Sequence, residues 1–196
     1  MGDIHGNLKA LLGLLAALDE RKISRTIFLG DYVNKGPSPA DVLEVLLVRR
    51  QSGRATLLAG NHEAALLSAL DTGNVAPFLK MGGATTIRSY LRRQARPDVL
   101  SDFRSQLPHH HLSALREMPT VWESGEVVAQ HVPPGIHASR FQISAHVPVG
   151  KLPRITTNSA QLDTGSGSSE QAGRLTAFMW PSRDYIQVDA SGKMIS

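Results

Sequence analysis

Thr26-Ile27-Phe28-Leu29-Gly30-Asp31-Tyr32-Val33-Asn34-Lys35-Gly36 is the stretch that decides the fold. Four residues of strand-forming character run without a break into a glycine, the pattern of a short buried strand. The acid, amide and ammonium side chains that follow therefore lie just past the strand's C-terminal end. Ser38-Pro39-Ala40-Asp41 comes next, with an N-cap residue, a proline at the first helical position and an acid at the third, so a helix to about Gln51 is expected. Ala55-Thr56-Leu57-Leu58-Ala59 repeats the strand pattern and stops at Gly60, and Glu63 to Leu70 reads as helix. Upstream, Leu8, Leu11, Leu12, Leu15 and Leu18 form the stripe of an amphipathic helix from about Leu8 to Glu20, capped by Asn7. Strand, loop and helix alternate through this part of the chain, which predicts a parallel sheet covered by helices.

From Asp71 to Pro119 the chain is polar and helical, broken at Pro77, Gly82-Gly83, Pro97 and Pro108. Arg88, Arg92, Arg93 and Arg96 are spaced to share one basic helix face, read as solvated surface. Thr120–Trp122, Val127–Gln130, Phe141–His146, Ala160–Asp163, Leu175–Trp180 and Tyr185–Val188 follow as strand-like runs with no helix between them, so a second sheet with antiparallel pairing is expected. Thr164 to Gly173, rich in Gly and Ser, reads as a mobile loop or wide hairpin turn. Its Ser166, Ser168 and Ser169 have no partnered base and are not read as nucleophiles. His109-His110-His111 lies outside every motif and reads as a surface loop rather than a metal site.

The 196 residues suit one domain, and 41% hydrophobic residues are enough to bury a core. The absence of Cys excludes a disulfide scaffold, a thiolate metal site and a cysteine nucleophile, and fits a reducing, cytoplasmic setting. No apolar run approaches the ~18 residues of a membrane span, and Met1-Gly2-Asp3-Ile4-His5 is unlike a signal peptide. The chain reads as a soluble globular protein with no membrane partner. A net charge of +4 and a pI near 9.7 are compatible with an anionic partner, although nucleic acid is not the expected one.

Three segments share one grammar: Gly2-Asp3-Ile4-His5-Gly6, Gly30 to Gly36, and Gly60-Asn61-His62-Glu63. The second and third follow an expected strand and all three precede a helix, at the edge where open α/β sheets bind ligands. Asp3, His5, Asp31, Asn61 and His62 bring oxygen and nitrogen donors there. His131 and His146 each fall at the end of a strand-like run and can reach the same edge. Singly, each has an ordinary explanation as a helix cap or a satisfied core histidine. Capping, however, does not require His or Asn at every position. Mixed carboxylate, imidazole and amide donors without thiolate suit Mn²⁺, Fe or Zn²⁺.

With Gln130-His131-Val132-Pro133-Pro134-Gly135 and Ala145-His146-Val147-Pro148, these segments resemble, in order and spacing, the motifs of the calcineurin-like metallophosphoesterases. Within that family the resemblance is to the bacterial phosphoprotein (serine/threonine) phosphatase type, and Gly82 to Tyr90 resembles a further segment of its members. It covers nearly the whole chain. It implies an α/β fold, a two-sheet β-sandwich flanked by helices. It also implies two divalent ions, Mn²⁺ first with Fe or Zn²⁺ as alternatives, about 3.5–4 Å apart, activating a hydroxide for in-line attack. Asp3 and His5 would bind one ion, Asp31 would bridge, and Asn61, His131 and His146 would complete the sites. His62, oriented by Asn34, would protonate or stabilise the leaving alkoxide, and Lys35 and Asn61 would hold the phosphate. The implied activity is hydrolysis of a phosphomonoester on a phosphoprotein, or on a phosphorylated small molecule or nucleotide.

The departures open alternatives. Asn34 stands where these phosphatases commonly carry Asp, and Lys35 where they carry Arg. Lys35 resembles the relatives similar to diadenosine tetraphosphatase, so a dinucleoside polyphosphate hydrolase is one alternative and a catalytically impaired phospho-ligand binder another. Only 15 positions separate His131 from His146, where the family has a longer segment with a further phosphate-binding Arg, and Arg140 is the available substitute. The sequence starts one residue before Gly2, without the strand that usually delivers this Asp. Residues 1–196 are therefore read as a single domain truncated by about one strand, the alternative being a loose metal site on an unanchored loop.

Overall fold

In a computed structural model describing residues 1–134, 139–167 and 173–195, β1 (Thr26–Phe28) and β2 (Ala55–Leu57) pair in parallel, as expected. α1 (Leu8–Glu20) is capped by Asn7, whose Oδ1 accepts the Ala10 N–H at 3.1 Å. α2 (Pro39–Gln51) starts on its proline, although Ser38 makes no side-chain cap bond. α3 (Asn61–Thr72) begins two residues ahead of the sequence reading, because the Glu63 carboxylate reaches back to the Gly60 N–H at 2.9 Å. Asn61 and His62 thereby enter the first helical turn instead of the preceding loop.

Met1 and Gly2 lie between β1 and β8 (Arg174–Phe178). The Leu29 N–H donates to Met1 O at 3.1 Å, the Gly2 N–H to Thr176 O at 3.0 Å, and the Met1 ammonium to Ile27 O at 2.8 Å. β8 continues antiparallel into β9 (Tyr185–Asp189) and β9 into β10 (Met194–Ile195), so β2, β1, Met1-Gly2, β8, β9 and β10 form one layer. The Asp3–Gly6 loop is anchored rather than loose: Ile4 and His5 N–H both donate to Asp31 O, and Gly6 N–H to Tyr32 O. Beside Met1 is a cavity of about 240 Å³ lined by Leu18, Ile27, Val127, Ile143, Leu162 and Phe178 among others.

The second layer runs β3 (Val121–Glu123), β4 (Val127–Gln130), β5 (Phe141–Ser144), β7 (Ser159–Gln161), β6 (Arg154–Ile155). Here the antiparallel expectation holds for β3 with β4 and β6 with β7 but is corrected in the centre, where β4 pairs with β5, and β5 with β7, in parallel. Parallel pairing puts the ends of β4 and β5, and with them His131 and His146, at one edge. Leu29, Leu58, Val127, Ala129, Phe141, Ala160 and Leu162 pack together between the layers.

After the short α4 (Ala76–Lys80), α5 (Gly83–Leu91), α6 (Val99–Gln106) and α7 (His109–Glu117) correct two further expectations. Arg92 is left-handed (φ 51°) and ends α5, so the four arginines share no face: Arg92 pairs with Asp41, and Arg93 and Arg96 with the buried Asp102. His109-His110-His111 is the first turn of α7, not a loop, and His111 is buried. In the Gly/Ser stretch, Thr164 and Ser166 are buried, and Ser166 Oγ donates to Ile4 O at 3.3 Å, with no hydrogen bond to a basic side chain among the described residues. Ser168 and Ser169 lie outside the described residues. Among the described residues no helix is long and apolar enough to cross a membrane.

Candidate metal centre

Gly30, at φ +108°, lets two loops meet: a Cβ there would fall 2.5 Å from Gly60 N. His5, Asp31, Asn34, Lys35 and His146 also have positive φ, between 48° and 70°, a region that side chains other than glycine seldom adopt. Such strain persists only where surrounding structure enforces it. Glu63 supplies that enforcement for the Asp31 loop. Its fully buried carboxylate accepts N–H groups from Asp31 and Tyr32 at 2.8 Å, Gly60 at 2.9 Å and Val33 at 3.2 Å. Burial and the neighbouring Asp31 charge raise its pKa against the pull of these donors. Sequence alone gives Glu63 no role beyond starting the helix, since nothing local shows which N–H groups its carboxylate holds.

Asp31 is shared by two donor clusters, Asp31-His131-His146 and His5-Asp31-His62, whose ligand atoms in each case lie within 4.8 Å of one another. His131 Nε2 is 3.3 Å from Asp31 Oδ1 and 2.8 Å from Asn61 Oδ1, and His146 Nδ1 is 2.9 Å from that same Asn61 oxygen. On the other side, His5 Nε2 is 3.6 Å from Asp3 Oδ2 and 3.7 Å from Asp31 Oδ2. Asp3 Oδ1 also accepts the His146 N–H at 3.4 Å. All six expected ligands thus converge, and His62 joins the His5 side.

The donor chemistry fits divalent cations. His5 Nδ1 faces Val33 O at 3.1 Å and His131 Nδ1 faces Leu29 O at 3.0 Å. A carbonyl only accepts, so each Nδ1 carries the proton and each Nε2 directs a lone pair at carboxylates. Lone pair and anion face each other stably only with a cation or a proton between them, and a carbonyl-held Nδ1–H is the usual outer support of a metal-binding histidine. Burial opposes a charge on these rings, but Asp3 at His5 and Asp31 at His131 outweigh it and raise both pKa values.

His62 is oriented differently. Asn34 N–H donates to Thr86 Oγ1 at 2.9 Å, Thr86 Oγ1–H donates to Asn34 Oδ1 at 2.7 Å, and Asn34 Nδ2 then donates to His62 Nδ1 at 2.8 Å. The His62 proton therefore sits on Nε2, 3.7 Å from Asp31 Oδ2. Burial lowers this ring's pKa to about 4. Thr86 had no role in the sequence reading, because its partner lies 52 positions away.

Lys35 Nζ approaches His5 Nε2 to 2.8 Å. A cleft of about 1080 Å³ opens beside them, lined by His5, Asn7, Lys9, Lys35, Asp163 and Gly167 among others. Asp163, read only as a strand end, is buried here, and burial together with the Asp3 charge raises its pKa. Arg140 does not reach the cleft. It precedes β5, at the opposite end from His146, and pairs with Glu123 at 2.8 Å.

A family model described as calcineurin-like phosphoesterase matches residues 1–149. The symmetrical bis(5'-nucleosyl)-tetraphosphatase of Yersinia enterocolitica is 26% identical over 161 residues, covering 78% of this chain and 53% of that protein. Serine/threonine-protein phosphatase 2 of Escherichia coli K12 is 38% identical over 84 residues, 42% of this chain and 37% of that protein. The matches thus span about half of the first relative and about a third of the second. A solved structure provisionally described as a diadenosine tetraphosphatase aligns with TM-score 0.66 at 19% identity, over 96% of this chain and 90% of its own. A metallophosphoesterase from Sphaerobacter thermophilus aligns with TM-score 0.56 at 15% identity, over 100% and 86%. At these identities the two structures share the fold.

Proposed function

The chain belongs to the calcineurin-like phosphoesterases, and from that premise we propose that it hydrolyses phosphomonoesters, phosphoserine or phosphothreonine of proteins foremost, with two divalent cations. The observation that carries this reading is the Asp31 carboxylate shared by two donor clusters. Asp3, His5 and Asp31 would hold one cation, and Asp31, Asn61, His131 and His146 the other, with Mn²⁺ proposed ahead of Fe or Zn²⁺. Bound there, such a pair supplies positive charge to phosphate oxygens and lowers the pKa of water. The chain's own groups do the rest. Lys35, on an exposed turn beside the cleft, brings an ammonium to a phosphate oxygen, and the Asn61 amide is the second phosphate-binding group of this reading. His62 presents Nε2–H as a hydrogen-bond donor to the leaving oxygen, and its neutral ring stabilises that oxygen rather than handing over a full proton. Asn34 and Thr86 fix that tautomer.

A second reading is hydrolysis of dinucleoside polyphosphates. It is favoured by Lys9, which lines the same cleft as Lys35 and suits a phosphate chain longer than one group. Initial rates on a phosphoserine peptide and on diadenosine tetraphosphate, both with Mn²⁺, separate the two. The first reading expects the peptide to turn over faster, and the reverse order replaces it with the second. Binding of both without turnover contradicts both and makes the chain a phospho-ligand binder.

A further inference from the structure

Away from the cleft, α2 and α7 bring a second set of metal-ligating side chains together. Glu44 Oε2 on α2 lies 2.9 Å from His111 Nε2 and 3.2 Å from His110 Nε2 on α7, and the ligand atoms of all three lie within 4.8 Å of one another. We propose that Glu44, His110 and His111 form a separate site for a divalent transition metal of the Zn²⁺ type, joining α7 to α2.

Three features argue for it. The first is spacing. Metal–ligand bonds of about 2.0–2.1 Å at tetrahedral angles hold neighbouring ligand atoms about 3.4 Å apart. The two Glu44 separations need only a few tenths of an ångström of side-chain adjustment to meet that. The second is composition. Two imidazole nitrogens and one carboxylate oxygen suit Zn²⁺ with a fourth position open to water, whereas Ca²⁺ and Mg²⁺ require more oxygens.

The third feature is support. His111 is only 2% exposed, and its Nδ1 lies 2.7 Å from the hydroxyl of the buried Tyr90 on α5. In the empty site Nε2–H donates to Glu44; a metal on Nε2 would move the ring proton to Nδ1, where the phenol oxygen can accept it, in the way that outer partners orient metal-binding histidines. Burial holds His111 toward its neutral form, while hydrogen bonds from His111 and His110 keep Glu44 ionised. The N–H dipoles of the first turn of α7 oppose a cation there, and the Glu44 charge offsets them. His109 stands outside the set, its Nδ1 facing Ser113 Oγ at 3.4 Å.

The test is equilibrium dialysis of the full chain against buffered Zn²⁺, with metal per chain counted by mass spectrometry, for the wild type, Glu44→Gln and His110→Ala. The side chains of Glu44 and His110 are 55% and 56% exposed, so both variants keep the fold. The cleft's own ligands are common to all three proteins, so the difference isolates this site whatever the outcome for the proposed activity. Each variant is expected to hold one zinc fewer than the wild type and to lose part of the zinc-induced rise in Tm. Equal zinc content in all three proteins overturns the proposal.

Discussion

Asn34 Nδ2 lies 2.8 Å from His62 Nδ1, and this contact decides which proton His62 can offer. The amide occupies Nδ1 as a donor, while burial holds the ring's pKa at about 4, so at neutral pH the ring is uncharged with its proton on Nε2. Asn34→Asp replaces that donor with a carboxylate that accepts a proton from Nδ1 and stabilises the imidazolium. The His62 pKa is expected to rise by about 2 units or more. Titration of the His62 ring protons by NMR checks this, and a midpoint left near its wild-type value rejects the tautomer assigned to His62.

Lys35 competes with a cation for His5. Its Nζ stands 2.8 Å from the Nε2 that a metal would use. Lys35→Met is therefore expected to lower the Mn²⁺ concentration that gives half-maximal activity. The lost charge should also raise KM for the phosphoester by roughly 10-fold or more, in line with a hydrogen bond to a charged group. Metal and substrate titrations of the variant separate the two effects. An unchanged metal requirement contradicts the competition.

Glu63 holds four N–H groups on one buried carboxylate. Glu63→Gln turns two acceptor oxygens into one acceptor and one donor that faces donors. The cost should be about 3 kcal/mol, a fall in Tm of roughly 6–12 °C for a chain of this size. Activity should fall with it, because the left-handed Asp31 loses its support. Thermal unfolding within a degree or two of the wild type would show that the loop is held by something else.

The donor residues were legible in the sequence because glycines and strand-like runs bracket them: Gly30 before Asp31, Gly60 before Asn61 and His62. The helix at Leu8–Glu20 was legible from its leucine stripe. The direction of β5 against β4 was not, because side-chain alternation does not encode whether neighbours run parallel. That direction is what brings His131 and His146 together. The buried side of the histidine triplet was hidden as well, since the partners of His111 are Glu44 and Tyr90, far away in sequence. Thr86 and Glu63 were hidden for the opposite reason: each reads locally as an ordinary helical residue, and only the folded loops show what it holds.

The space beside Met1 makes a further prediction. The Met1 ammonium is buried, which lowers its pKa from 8.0 to about 5, and among the described residues the adjacent Thr26 Oγ1 is buried without a hydrogen-bond partner. Between those pH values the unfolded chain binds a proton that the folded chain does not, so folding is penalised as pH falls from 8 toward 5. Five apolar, β-branched residues fused ahead of Met1 should continue the hydrogen bonds to Ile27 and β8 and fill the cavity. Tm is expected to exceed that of a Gly/Ser fusion of equal length by ~4 °C or more. Both fusions move the ammonium out of the core and should lose the pH 5–8 penalty. Equal Tm for the two fusions would show that the cavity takes up no added strand.

The central claim, a phosphoesterase built on a shared Asp31, is tested most directly by hydrolysis of p-nitrophenyl phosphate with Mn²⁺, with and without EDTA, by the wild type and Asp31→Asn. Turnover is expected to require Mn²⁺, to stop with EDTA and to fall roughly 10²–10³-fold in the variant, the scale of losing a group that stabilises the transition state. Wild-type turnover by Asp31→Asn, or none from a folded, metal-loaded wild type, contradicts it.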